Sequence, residues 1–360
     1  MTESQHFVSV SGGKDSLRTA IAALERFERR PPASNLPPRF LAADTGNEHE
    51  GWADYIAYLE RALGVTIEIV RADFTRQFEV RRANLADDWR KEKRRKEHTA
   101  ACKARAEAMT VRERKAMCDC PVKIMPPVAD ALIDRALSLL HPTGNPFLDL
   151  CMLKGRFPSA RSRFCTDELK LVPMAAVKDP YLEAGINIVE WIGERAEESP
   201  DRAKKPVIQR IRHASGAAQI LYRPIHAMKR EQVFADIAAR GVMVNPLYDR
   251  GAQRVGCWAC IMCGKAEIRL LDKAAIDRLR EWEALVAQVS RQQAATFFNA
   301  TILPGKVAGN VTRANIDAVV QWARTGRGGK QFDIFQRAEA VAANEAGVSC
   351  DRDAFAGCFA

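Results

Sequence analysis

The chain has 360 residues, 47% hydrophobic and 28% charged; that is an ordinary globular composition, long enough for one large or two ordinary domains. With no apolar run of about 18 residues it has no transmembrane helix, and with no basic-then-apolar leader in MTESQHF no signal peptide is expected, which leaves the cytoplasm as the expected location. A formal net charge of +10 points to an anionic partner, nucleotide or nucleic acid, and the ten cysteines of such a chain argue against a disulfide framework.

Residues 6–10 form an apolar, β-prone run, and residues 16–29 carry Leu17, Ile21, Leu24 and Phe27 at helical spacing. Between them lies Ser-Gly-Gly-Lys-Asp-Ser. A strand that breaks through two glycines into a helix N-terminus presents backbone amides to an anion, and the helix dipole favours a phosphate there. Lys14 adds a point charge, Ser11 and Ser16 add hydroxyls, and Asp15 is placed to cap the helix or help hold a metal. The spacing is neither the Walker A nor the dinucleotide GxGxxG pattern.

After the proline-rich linker RRPPASNLPP, residues 39–43 read as a second strand ending at Asp44, Thr45 and Gly46. Residues 51–63 read as a helix and 65–70 as a third strand, which gives the strand–helix alternation of a parallel α/β sheet. Residues 89–117 then hold eleven Lys and Arg against four Glu. Two readings fit this run: a solvated, salt-bridged helical hairpin, or an arm that binds tRNA or DNA. Further strands are expected at 186–191 and 219–222, and helices at 230–240 and 265–288. The chain contains no internal repeat.

Three cysteines, Cys257, Cys260 and Cys263, stand in a CxxCxxC spacing that can clasp one metal or cluster. Cys165 is the candidate fourth ligand, and [4Fe-4S] is favoured over Zn2+. Cys118 and Cys120 form a further close pair, while Cys102, Cys151 and Cys350 carry no pattern.

SGGKDS resembles the PP-loop of the ATP pyrophosphatases, which hold ATP and release pyrophosphate while forming an adenylyl intermediate. DTGNEHE at 44–50, SRFCTDELKLVP at 162–173, EWIGERAEESPDRAK at 190–204 and YRPIHAM at 222–228 resemble, in order, segments of the phosphoadenosine phosphosulfate (PAPS) reductase-like branch. The likeness runs from about residue 6 to about residue 270. It implies a doubly wound, Rossmann-like sheet whose strand ends gather Ser11, Gly12, Gly13, Lys14, Asp15, Ser16, Asp44, Thr45, Gly46 and Gly193 around an adenine nucleotide. Arg163, Lys170, Arg195 and Arg202 would supply cations to its phosphates. Lys14, Asp15 and Arg195 would carry catalysis, with ATP and Mg2+ as cofactors.

Thiol-dependent members of this branch carry a C-terminal Glu-Cys-Gly-x-His segment. This chain ends DAFAGCFA, so Cys358 lacks those flanks and any neighbouring cation to lower its pKa. Adenylation of an acceptor for sulfur transfer, with a sulfur-donor protein as a further partner, therefore ranks ahead of sulfonucleotide reduction. A non-catalytic nucleic-acid-binding protein with structural zinc ranks third. The expected organisation is a nucleotide domain of 1–85 and 151–250, a basic helical insertion of 86–150, and a cysteine-cluster and helical region of 251–360.

Overall fold

The computed structural model describes residues 4–29, 36–96, 122–160, 162–298 and 314–326, and for Arg95 and Lys96 the backbone alone. Cys102, Cys118, Cys120, Cys350, Cys358 and most of the basic run lie outside these residues. Among the described residues no helix is long and apolar enough to cross a membrane.

In chain order the first elements are β1 (Ser4–Ser9), α1 (Lys14–Arg29), β2 (Arg39–Asp44), α2 (Trp52–Leu63) and β3 (Ile67–Arg71). After an excursion the chain returns through α6 (Val172–Glu183), β6 (Asn187–Trp191), β7 (Ile208–Arg212), β8 (Ala218–Tyr222) and α7 (Arg230–Ala239). The six strands form one sheet in the order β3-β2-β1-β6-β8-β7, parallel except for β7, which pairs antiparallel with β8. Chain progress runs outward from β1 to β3 on one side and then restarts at β6 on the other. The order therefore reverses at β1, and in such sheets ligands settle at the strand carboxyl ends beside that reversal.

Both faces of the sheet are covered, as a parallel sheet requires. Alternate residues of β1 separate: Val8 packs with Leu17 and Ile21 of α1, Ile56 and Leu59 of α2, and Val233 and Ile237 of α7. Phe7 faces the other way, with Leu41, Ile188 and Leu182, backed by Met174 and Val177 of α6. Each buried Leu or Ile side chain contributes about 1.5–3 kcal/mol, so the two faces together dominate the stability of this layer.

The excursion comprises α3 (Thr75–Arg90), the antiparallel pair β4 (Lys93–Lys96) and β5 (Val122–Met125), α4 (Asp130–Leu139) and α5 (Pro146–Lys154). Of the two readings of the run from residue 89, the helical hairpin is corrected where the run is described: α3 ends at Arg90 and Lys93–Lys96 is a strand. Three of the described cations are paired within the excursion, Arg90 with Asp130 at 2.8 Å, Lys93 with Asp88 at 2.6 Å and Arg94 with Glu92 at 2.9 Å. Arg291 fastens the base of this ribbon, donating to the carbonyls of Asp88, Lys91 and Pro126 at 2.7, 2.5 and 3.0 Å.

A second core joins these helices to α8 (Lys265–Arg269), α9 (Lys273–Gln288) and α10 (Ile316–Ala323), around Trp89, Ile133, Leu150, Leu279, Phe297 and Ile316. The single helix expected at 265–288 is in fact two. Leu270 to Asp272 interrupt it, and the Asp272 side chain accepts from the Ala275 amide at 2.8 Å, capping α9. β7 has no signature in the sequence: all five of its residues are exposed and Ile-Gln-Arg-Ile-Arg has no one-sided apolar pattern.

Candidate nucleotide-binding site

Three loops leave the carboxyl ends of the three central strands: residues 10–16 after β1, 44–50 after β2 and 192–199 after β6. In the first, Gly12 has φ +80°, a conformation that L side chains rarely adopt, and it lies under Trp52. The turn is tied by its serines. The Ser11 amide donates to Ser16 Oγ at 3.0 Å, the two hydroxyls lie 3.0 Å apart, and Ser16 Oγ donates to the Gly13 carbonyl at 2.9 Å.

Lys14 opens α1 and is almost wholly buried. Its Nζ bonds Asp15 Oδ2 at 2.8 Å and lies 5.7 Å from the Tyr248 ring centre and 5.9 Å from that of Phe234. Burial holds its pKa below the ordinary lysine value; Asp15 opposes that shift, whereas Arg195 and Arg230 add to it. Arg195, only 1% exposed, donates from Nε to Asp15 Oδ1 at 2.6 Å and pairs with Glu197. Burial would lower the Arg195 pKa, but Asp15, Glu197 and Glu198 outweigh it and hold it raised. The third loop sits close because Gly193 has no side chain: a Cβ there would lie 2.8 Å from the Asp15 carbonyl oxygen.

Asp15 thus has one oxygen on each of two cations, and it orients both rather than offering an open metal ligand. Asp44 is similarly engaged, accepting from the Gly46 amide at 2.9 Å and lying 3.5 Å from Arg71. Neither carboxylate fits a Mg2+ ion held by the protein alone.

Glu48 closes the second loop, accepting from the Thr45 hydroxyl at 2.6 Å and from the Thr45 and Asn47 amides at 3.1 Å each. Burial raises its pKa despite those bonds. Asn145, at the start of α5, donates to the Gly46 carbonyl at 2.7 Å. Asn47 joins the loop to the cysteine segment: its carbonyl accepts from the Trp258 amide at 2.5 Å and its side chain donates to the Ala259 carbonyl at 2.8 Å.

Lys170, on the π-helical turn Asp167–Leu171, faces this junction. The Cys257 sulfur raises its pKa most; burial opposes that, and Glu48, Cys260 and Cys165 reinforce it. Cys165, Cys257 and Cys260 are thus close enough to Lys170 to act on its charge. Burial pushes the Cys260 thiol up to about 12 and raises that of Cys165.

Cys263 is buried in the second core, against which Cys165 and Cys260 also pack. Among the described residues no three His, Cys, Asp or Glu side chains are arranged to hold a metal ion. That holds also for the Cys165, Cys257, Cys260 and Cys263 set expected for [4Fe-4S] or Zn2+.

The remaining expected cations are placed differently. Arg202 is spent on Glu198 and on Glu194, 4.0 Å away, and Arg163 is exposed and donates to the Ala160 carbonyl at 3.2 Å. Tyr248, Phe234, Arg230 and Glu48 were not singled out from sequence. Glu48 lies inside DTGNEHE and could have been, whereas NPLYDRG around Tyr248 has no spacing that marks a nucleotide site.

A mostly parallel sheet with a glycine turn at its switch point and a buried Lys–Asp–Arg chain beside it is the frame of a protein that binds a nucleotide phosphate. The phosphoadenosine phosphosulfate reductase domain matches residues 5–263, and the chain belongs to that family. It is 37% identical over 347 residues to the uncharacterized 37.8 kDa protein in the gpa 5' region of Escherichia phage 186, covering 91% of each chain. It is also 38% identical over 74 residues to the uncharacterized nin region protein ORF290 of Escherichia phage lambda, covering 21% of this chain and 25% of that one. Among solved structures, phosphoadenylyl-sulfate (PAPS) reductase from Candida auris in its phosphate complex aligns with TM-score 0.33 and 16% identity, over 71% of this chain and 82% of that one.

Proposed function

We propose that this chain binds ATP or a related adenine nucleotide at Ser11–Ser16 and adenylates an acceptor in preparation for sulfur transfer. The observation that carries this reading is the chain Lys14–Asp15–Arg195, with distances of 2.8 and 2.6 Å, at the N-terminus of α1. Two cations held by one carboxylate, next to backbone amides, suit a polyphosphate whose charge shifts as a bond breaks. The acceptor nucleophile attacks the α-phosphorus, a new bond to phosphorus forms, and the α–β bridging bond breaks with its electron pair leaving on pyrophosphate. Lys14 and Arg195 neutralise charge on the phosphoryl oxygens, and Asp15 fixes where those cations stand. Mg2+, if it arrived with the nucleotide, would supply further charge neutralisation.

In the second half-reaction a sulfide-level nucleophile from a donor protein attacks the adenylated acceptor, and AMP leaves with the electron pair of the broken bond to oxygen. The segment that carries Cys257 and Cys260 is tied by Asn47 to the loop after β2, which supports the sulfur-transfer half of the reading. The acceptor we propose is nucleic acid, tRNA or DNA, approached through the 89–117 run, with its eleven cations; a cytoplasmic setting suits it.

The test is product analysis with α-labelled ATP and Mg2+ on the full chain, with and without bulk tRNA or DNA. AMP and pyrophosphate are expected, increased by one of the nucleic acids and lost in Lys14→Ala. Sulfite release from PAPS with no ATP cleavage would replace this reading by the sulfonucleotide reductase.

A further inference from the structure

The Lys14 amide, one of the donors a phosphate needs, already has a partner: it donates to the Tyr248 hydroxyl at 3.0 Å. The rest of the segment presses on the same turn. A Cβ at Gly13 would lie 2.9 Å from the Val255 carbonyl oxygen and 3.6 Å from Tyr248 Oη. The Tyr248 ring also covers the Lys14 ammonium together with Phe234, against which it packs edge-on at 5.3 Å between centroids. Residues 245–256 are a built element. Asn245 is buried and its side chain accepts from the Leu247 amide at 3.0 Å; the Tyr248 amide donates to the Asn245 carbonyl at 3.0 Å, and the Ala252 amide to the Leu247 carbonyl at 3.0 Å. Leu247 and Ala252 anchor it in the second core, the core that also holds Trp258, Ala259 and Cys263.

We infer that Tyr248 is a phosphate-displaced gate of the nucleotide site: its hydroxyl stands where a phosphate oxygen binds the Lys14 amide, and nucleotide entry exchanges one for the other. This rests on the nucleotide-binding reading above and deepens it. A neutral hydroxyl suits a placeholder, since it satisfies a buried amide without repelling an anion, and an unsatisfied amide would be costly. Burial pushes the Tyr248 phenol up to about 12, so it stays protonated at physiological pH. Because the displaced segment runs directly into Cys257, the exchange moves the start of the cysteine loop when nucleotide binds. Phosphate occupancy at Lys14 and the position of Cys257 beside Lys170 are thereby coupled.

The variant Tyr248→Phe keeps the ring over Lys14 and deletes the competing hydroxyl. Titration calorimetry of the full chain with a non-hydrolysable ATP analogue is expected to show binding about threefold to tenfold tighter in the variant, the worth of one hydrogen bond no longer displaced. Hydrogen exchange at residues 245–257 is expected to rise on adding the analogue to the wild-type chain. Equal or weaker binding in a Tyr248→Phe protein that melts like wild type overturns the gate while leaving nucleotide binding intact. No binding by the wild-type chain removes the nucleotide reading itself, and the gate with it. Unchanged exchange at 245–257 on saturation also overturns the gate.

Discussion

At the scale of single residues, a buried polar group is held by the partner that meets it. His6 is an example away from the nucleotide site. Its Nδ1 accepts from the Trp191 indole at 2.9 Å, and burial, with Arg26, holds its pKa down at about 4. The unfolded chain titrates near the ordinary histidine value of about 6.5 and so binds more protons between those limits. Stability is therefore fully present above about pH 6.5 and is lost as pH falls toward about 4, by about 3 kcal/mol. Urea unfolding at a series of pH values is expected to show a steeper acid loss for the wild-type chain than for His6→Gln. Parallel profiles would show that His6 is not the group responsible. Arg195 is the charged case: two carboxylates meet a guanidinium that is 1% exposed, and removing both would leave a buried charge uncompensated.

At the scale of elements, local chemistry sets the boundaries. α1 starts where the glycine turn ends. α5 starts at Asn145, whose side chain accepts from the Leu148 amide at 3.0 Å while also holding the Gly46 loop. α9 starts at Asp272, and without that cap the apolar run from 265 would read as one helix, as it does from periodicity alone. Asp272→Ala is expected to cost about 1 kcal/mol of stability. A small drop in melting temperature with nucleotide binding unchanged would agree with a purely local role. A loss of binding would mean that the break between α8 and α9 positions the site.

At the scale of the whole molecule, the sheet core and the second core meet at the ends of β1 and β2. Asn47 is the clearest link, since its side chain and carbonyl both reach the 258–259 backbone. Asn47→Ala is expected to raise hydrogen exchange at residues 257–263 by about tenfold or more, while protection of β1 and β6 stays as in the wild type. Uniform loss of protection across both would instead show one cooperative unit with no local hinge at this link.

The sequence by itself determined the parallel α/β class, the PP-loop and the order of the family segments. Each of these is local: a strand, a glycine turn and a helix start lie within a dozen consecutive residues, and the periodicities of 2 and 3.6 are written along the chain. Only the tertiary structure decided which charges meet. Arg195 finds Asp15 across 180 positions and Tyr248 finds the Lys14 amide across 234. The cysteine spacing is equally legible, but ligand type and spacing do not fix burial: Cys263 is buried in the second core, whereas Cys165 and Cys260 are only partly buried against it. Spacing tells how far apart side chains leave the backbone. Where they point depends on the elements packed around them, and that is settled by burial across the whole fold.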